Sequence, residues 1–180
     1  LVIDARERFV CGLYSPVPPL RSELLAPGNY GVNANGTDTS SVPGLPIFNL
    51  NGTADAPIII TGPDTGPRPV LLGRSTHNTV HLSNASYIFV RNLEIDSRNL
   101  GGAGVAAQGT SHHVTLESLA IRGVGGSQQQ VGIAANGSPT WNWTVRRNVI
   151  EGAGTGMYFG NSDGRNPFVA GLIEHNLVKD

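Results

Sequence analysis

From about residue 54 onward, apolar and polar positions alternate in short bursts, and four of these bursts share one template. Val90-Arg91-Asn92-Leu93-Glu94-Ile95-Asp96, Leu116-Glu117-Ser118-Leu119-Ala120-Ile121-Arg122, Val145-Arg146-Arg147-Asn148-Val149-Ile150-Glu151 and Ile173-Glu174-His175-Asn176-Leu177-Val178-Lys179 begin 26, 29 and 28 positions apart. A loosely constant period of this length marks a solenoid. Ahead of each template start, Ile88 and Val90, Val114 and Leu116, and Trp143 and Val145 alternate with polar or smaller residues, as strands with one buried face do. A one-residue turn then reverses the buried parity. The inward positions become Leu93 and Ile95, Leu119 and Ile121, Asn148 and Ile150, Asn176 and Val178. Inward asparagines in successive coils are costly unless bonded to the bend backbone or to each other, so a stacked ladder is expected.

Each coil also carries an earlier short strand, predicted over residues 79–83, 104–108, 130–135 and 156–160. A further strand at 58–61 precedes the turn-rich Gly62-Pro63-Asp64-Thr65-Gly66-Pro67. Residues 1–53 differ: they hold many of the prolines, show no repeat, and contain one short helix-like stretch at 20–25. They are read as an N-terminal lead-in and cap, with 54–180 as coils of a single domain.

Registering the coils turns the charges into columns. One column reads Arg91, Glu117, Arg146, Glu174 and another Asp96, Arg122, Glu151, Lys179, alternating in sign in a chain only 14% charged. Stacked strands lie about 4.8 Å apart, so each charge meets an opposite partner in the next coil. Such pairs contribute roughly 0.2 to 1 kcal/mol, less when solvated. The columns read as structural, on an outer face.

These stretches, with the Pro-Gly-x-Tyr pattern in Leu25-Ala26-Pro27-Gly28-Asn29-Tyr30, resemble the pectate-lyase-like right-handed parallel β-helix family. The resemblance covers most of the chain from Leu25 and implies an all-β, right-handed parallel β-helix with an irregular N-terminal cap. The carriers are core and turn residues, so they speak for architecture and leave the reaction open. Nothing in the sequence caps the last coil, from which a continuation beyond Asp180, or a partner covering that end, is expected.

Composition narrows the functions. A net charge of −1 and a pI near 6.6 provide no basic field for non-specific nucleic-acid binding. Lys179 is the sole lysine, so arginine must carry any anion recognition. Cys11 is the sole cysteine, which excludes an intramolecular disulfide and a cysteine-based zinc site and leaves a buried apolar role or an unused thiol. No apolar run reaches the length of a membrane span, and Leu1 opens neither with Met nor with a signal-peptide pattern, so processing or truncation is expected there. Asn-x-Ser/Thr triplets at Asn35, Asn51, Asn84, Asn136 and Asn142 are attributed to chance in so Asn-, Gly- and Ser-rich a chain.

The resemblance implies a substrate groove along the outer face of the first strand of each coil and the connection after it. The outward positions there are His81, Ala106, Gly132 or Ala134, and Tyr158. The connections lengthen toward the C-terminus, ending in the long 161–170, and long insertions on a regular solenoid are where function tends to sit. Asn161, Asp163 and Arg165 in that stretch stand beside Tyr158. A lyase acting on an acidic sugar polymer needs a cation to neutralise the carboxylate and a base for the C5 proton. Arg165 with Tyr158 or His81 are the catalytic candidates; Asp163, Asn161, Trp141 and His112 are the substrate-binding ones. Asp163-Gly164 also reads as an ordinary turn, with Arg165 paired to Asp163.

His112-His113 has acid–base and ligand chemistry, but neighbours on a strand point to opposite faces, which argues against both holding one ion; one of the two is expected at a turn. Trp143 falls in an inward column and Trp141 in a connection, where it could stack on a sugar. The resemblance would bring calcium as cofactor, but no cluster of acids of the kind calcium requires is visible, and no metal ligands are assigned. Nor are the closely spaced aspartates of an inverting hydrolase present. The expectation is a secreted, extracellular or periplasmic, carbohydrate-active protein, lyase-like or epimerase-like on an acidic polysaccharide. The alternative is a non-catalytic glycan-binding, structural or adhesive β-helix.

Overall fold

The computed structural model describes residues 21–31, 43–74 and 77–180; the expectations for Cys11 and Asn35 lie outside them. Strands follow one another in a repeating three-sided path. The first circuit is β1 (Arg21–Leu24), β2 (Asn29–Tyr30) and β3 (Leu45–Phe48), and the second β4 (Ile58–Thr61), β5 (Val70–Leu72) and β6 (Val80–Ser83). Then come β7 (Ser86–Arg91), β8 (Glu94–Asp96) and β9 (Val105–Gln108), followed by β10 (Ser111–Glu117), β11 (Ala120–Arg122) and β12 (Val131–Ala135). In the next circuit the first side is split into β13 (Thr140–Trp141) and β14 (Thr144–Arg146), with β15 (Val149–Glu151) and β16 (Thr155–Phe159) after it. The last comprises β17 (Phe168–Val169), β18 (Leu172–Glu174) and β19 (Leu177–Lys179).

All neighbouring strands pair in parallel with the same side of the next coil. Three sheets result, called here A (β1, β4, β7, β10, β13/β14, β17/β18), B (β2, β5, β8, β11, β15, β19) and C (β3, β6, β9, β12, β16). The molecule is an all-β parallel β-solenoid, as the template spacing requires.

The template register holds. Leu116 pairs with Val90 and Val145, and Val145 with Ile173. Asn92, Ser118, Arg147 and His175 each adopt a left-handed φ of 53–56°, and this single residue per coil makes the parity reversal. The core is filled from all three sheets by residues such as Leu82, Ile88, Ile95, Leu116, Ile121 and Ile133, all fully buried. Gly104, Gly132 and Gly156 lie at the start of the sheet C strands, opposite Ile121, Ile150 and Val178 of sheet B. A Cβ on Gly132 would stand 2.6 Å from Ile150 Cγ2 and 2.5 Å from the Gly156 carbonyl oxygen, so the two sheets can close on each other only because no side chain is present.

The solenoid register also reaches further toward the N-terminus than the expected boundary near residue 54. The stretch read as helix-like is strand β1, in register with β4 through Arg21↔Ile58 to Leu24↔Thr61. Its local pattern is too short to nucleate a helix, whereas the edge of β4 offers a row of backbone partners. The Pro-Gly-x-Tyr segment forms the corner into β2, with Tyr30 Oη donating to the Ala26 carbonyl at 2.8 Å.

The charged columns stack as registered: Glu117 lies opposite Arg91 and Arg146, and Lys179 opposite Glu151. The ion pairs use them unevenly. Glu117 is held by Arg146 and Arg147, each at 3.0 Å, Arg122 grips both Glu94 and Asp96 of the preceding coil, and Lys179 reaches Glu151 at 3.2 Å. At the last coil the inward positions Ile173 and Val178 are about half exposed.

Candidate functional site

Sheet C presents a groove of about 610 Å³ on its outer face. Its floor follows from strand alternation: with Val105, Ala107 and Ile133 turned inward, the outward row of sheet C is His81, Ala106, Ala134 and Tyr158, aligned in register, and the last three of these line the groove. Gly132 leaves that row, since its missing Cβ points at Ile150. Ala103, Ala106, Val131 and Ala134 form a small apolar cluster separate from the main core, and this makes the floor smooth. The walls are amides: Asn78, Gln108 and Asn136, with Gln128 and Gln129 from the segment between β11 and β12.

That segment is fixed by its own bonds. The Gln130 side-chain oxygen accepts from the Ser127 amide at 2.8 Å, and Thr155 Oγ1 donates to the Gln128 carbonyl at 3.0 Å. Asn78 is oriented by accepting the Ala103 amide at 2.9 Å. Among the described lining residues there is no Asp, Glu, Lys, Arg or His, and Tyr158 is the single ionisable side chain. None of the wall amides was proposed from the sequence as a ligand-binding residue, Asn136 being noted only as part of an Asn-x-Ser triplet, because isolated Gln and Asn residues in connections carry no periodic signature.

The predicted site residues separate into three places. Tyr158, 37% exposed, lines the groove. The 161–167 loop contributes no lining residue, although its Asn166 Nδ2 donates to the carbonyl of the wall residue Asn136 at 3.1 Å; within it Asp163 Oδ1 accepts the Arg165 amide at 3.0 Å, and the two side chains pair at 3.4 Å. Asn161 accepts the Asn166 amide at 2.8 Å, and Arg165, its side chain 85% exposed, is not among the groove-lining residues. Asp163 and Asn161 are thus used by their own turn. His81 sits half-buried at the far end of the row, edge-on to Phe48 at 5.4 Å and 3.4 Å from the Asn78 amide nitrogen. Burial lowers its pKa from 6.5, the Gln108 side chain opposing and the charge of His77 adding to the fall.

Trp141 and His112 belong to a second region, the outer face of sheet A. Residues read from sequence as connections are here strand: His112 pairs with Ser86 of β7 and with Trp141 of β13. His112 stacks on Trp141 with ring centroids 4.5 Å apart and planes 13° apart, and His113 stacks on Tyr87 at 4.4 Å and 16°. The expectation that the adjacent histidines face opposite sides is overturned. His113 has φ 51°, and this left-handed residue breaks the alternation, so both rings lie outside with Nδ1 to Nδ1 at 2.7 Å. One of the pair is a turn residue, as expected. Tyr87, Asn142 and Ala170 share the left-handed position in their coils, and their recurrence at the template spacing was the available signal. Trp143, by contrast, is core, as its column predicts, with Nε1 donating to the Ser111 carbonyl at 3.0 Å.

His112 too has its pKa lowered, by burial and then by the charge of His113. Both imidazoles therefore bind a proton more readily in the unfolded chain. Their stabilising contribution is complete above the ordinary value of 6.5 and is lost as pH falls through the window below it. The denaturation midpoint is expected to drop on acidification through that window, with a smaller drop in His81→Gln. An equal drop in wild type and variant would remove His81 from this account.

Among the described residues no group of three or more His, Cys, Asp or Glu is placed to hold a metal ion, and no helix is long and apolar enough to cross a membrane. Compared with known proteins, the chain matches no family model, no curated relative and no solved structure, so the parallel β-solenoid is the level at which it is placed.

Proposed function

We propose that this chain is a carbohydrate-binding β-helix of an extracellular or periplasmic protein, holding a stretch of glycan in the groove of sheet C. The observation that carries the reading is the lining: an alanine floor from two successive coils, amides on both walls, and the Tyr158 ring from the next coil at one end. Each Asn or Gln offers a donor and an acceptor side by side, which suits vicinal hydroxyls. An aromatic ring supplies an apolar face with a polar tip, which suits a sugar ring. The absence of charge in the described lining favours a neutral glycan over a uronate polymer, whose carboxylates would enter the groove without a cation to offset their desolvation.

Binding of the purified chain to a panel of neutral and acidic polysaccharides, read by affinity electrophoresis and calorimetry, tests this. A neutral polymer is expected to bind. Ala106→Trp, which fills the floor, is expected to abolish binding, and Tyr158→Ala to weaken it about tenfold, the equivalent of about 1.4 kcal/mol. Binding untouched by Ala106→Trp would place the glycan elsewhere.

One observation favours a second, catalytic reading: Tyr158 brings an ionisable phenol into the groove, where a lyase or epimerase acting on an acidic polysaccharide needs its base. That reading calls for the Arg165 loop to swing its guanidinium off Asp163 when the polymer binds. Absorbance from unsaturated uronate products, measured with and without calcium and abolished by Tyr158→Phe, would favour it over simple binding.

A further inference from the structure

The outer face of sheet A carries a group of side chains that the groove does not use. The left-handed backbone at His113 turns two successive imidazoles onto one face, Nδ1 against Nδ1 at 2.7 Å. Neutral imidazole carries one N–H and one lone pair, so one ring donates and the other accepts. The partner on the far side sets which: Asn142 Nδ2 lies 2.9 Å from His113 Nε2, so His113 carries its proton on Nδ1 and His112 on Nε2. The rings cannot drift apart freely, since His112 is stacked on Trp141 and His113 on Tyr87.

We infer that His112 and His113 form a two-nitrogen chelate for a borderline divalent cation of the copper or zinc class. Imidazole nitrogen is the ligand these ions favour, whereas calcium and magnesium require oxygen. Metal–nitrogen bonds of about 2.0–2.1 Å hold two cis nitrogens roughly 2.9 to 3.4 Å apart, so the observed pair needs to open by only a few tenths of an ångström. Binding moves the His113 proton from Nδ1 to Nε2 and frees both Nδ1 lone pairs; no proton is gained or lost overall. The displaced proton then faces Asn142, whose amide rotates to accept it through Oδ1. This is the outer-shell bond that metal-bound histidines usually make. Water completes the coordination on the solvent side.

The adjoining indole supplies the readout. Trp141 lies against His112, so a bound Cu²⁺ will quench its emission. Titrating the full chain with Cu²⁺ above pH 6.5, the ordinary imidazole value, is expected to give saturable quenching at one ion per chain, with Zn²⁺ competing and Ca²⁺ not. The saturable phase should disappear in His112→Gln and in His113→Gln. It should weaken about tenfold in Asn142→Gly, which suits the left-handed backbone but removes the outer-shell acceptor, and persist in His77→Gln and His175→Gln. Circular dichroism and an unchanged denaturation midpoint show that each variant is folded. Quenching that survives either single variant at His112 or His113, or that vanishes in His175→Gln, would overturn the chelate, as would a stoichiometry that tracks the total number of histidines.

Discussion

Trp143→Ala is expected to lower stability by about 4 kcal/mol, within the range for truncating a buried tryptophan. The side chain is 1% exposed and lies in the inward column of sheet A that Ile88 and Val114 occupy in the preceding coils. Removing it opens a cavity in the solenoid interior that rigid neighbouring coils cannot close. It also leaves the buried Ser111 carbonyl without the indole donor that reaches it at 3.0 Å. Trp143→Phe separates the two effects: it keeps most of the volume and loses only the hydrogen bond, at about 1 to 2 kcal/mol. Against a total stability of roughly 5 to 15 kcal/mol for a domain, the alanine variant should show a large fall in urea midpoint and the phenylalanine variant a modest one. Equal losses would mean that the hydrogen bond, and not packing, dominates at this position.

Asn148→Ala is expected to cost at least about 2 kcal/mol, because two buried backbone groups, the Leu119 amide and the Leu116 carbonyl, lose their partner together. Asn148 is fully buried. Its Oδ1 accepts the Leu119 amide at 2.9 Å, while Nδ2 donates to the Leu116 carbonyl at 3.0 Å and to Asn176 Oδ1 at 2.9 Å. Asn176 repeats the arrangement one coil on, donating to the Val145 carbonyl at 2.8 Å and accepting the Asn148 amide at 3.0 Å. The ladder therefore closes the bend between sheets A and B in two successive coils. Asn148→Asp should be worse than alanine at neutral pH, since a buried carboxylate would face the Leu116 carbonyl and Asn176 Oδ1 with no donor to give them. Asn176→Ala, at a half-buried position, should cost less. Urea denaturation of the three variants checks the order; an aspartate variant as stable as wild type would show that the ladder is open to water.

Much of this was legible before any coordinates. The spacing of Val90, Leu116, Val145 and Ile173 set the register, and the observed strand pairs follow it. The first-strand positions of sheet C were placed within about one residue, because alternation on a half-buried strand is a local signal. The asparagine ladder and the burial of Trp143 came from the same columns. Strand β1 was not legible: a few residues of mixed pattern take their conformation from the edge they pair with, and that edge lies more than thirty residues away, at Ile58–Thr61.

The candidate sites divide in the same way. The outward row could be read from alternation as His81, Ala106, Gly132 or Ala134, and Tyr158, the structure choosing Ala134; the amide walls around it could not, because Asn78, Gln108 and Gln128 meet only once three coils are stacked. The pairing of His112 with His113 ran against the alternation rule, since one left-handed residue in the strand reverses which side a neighbour faces, and nothing in the dipeptide announces it. The sequence by itself determined the solenoid period, its core columns and its buried asparagine ladder, because each depends on residue spacing within a coil and repetition between coils. Only the tertiary structure decided where a ligand could lie, because the groove is built by side chains from different coils, and the two histidines share a face only through the left-handed backbone at His113, which strand alternation does not predict.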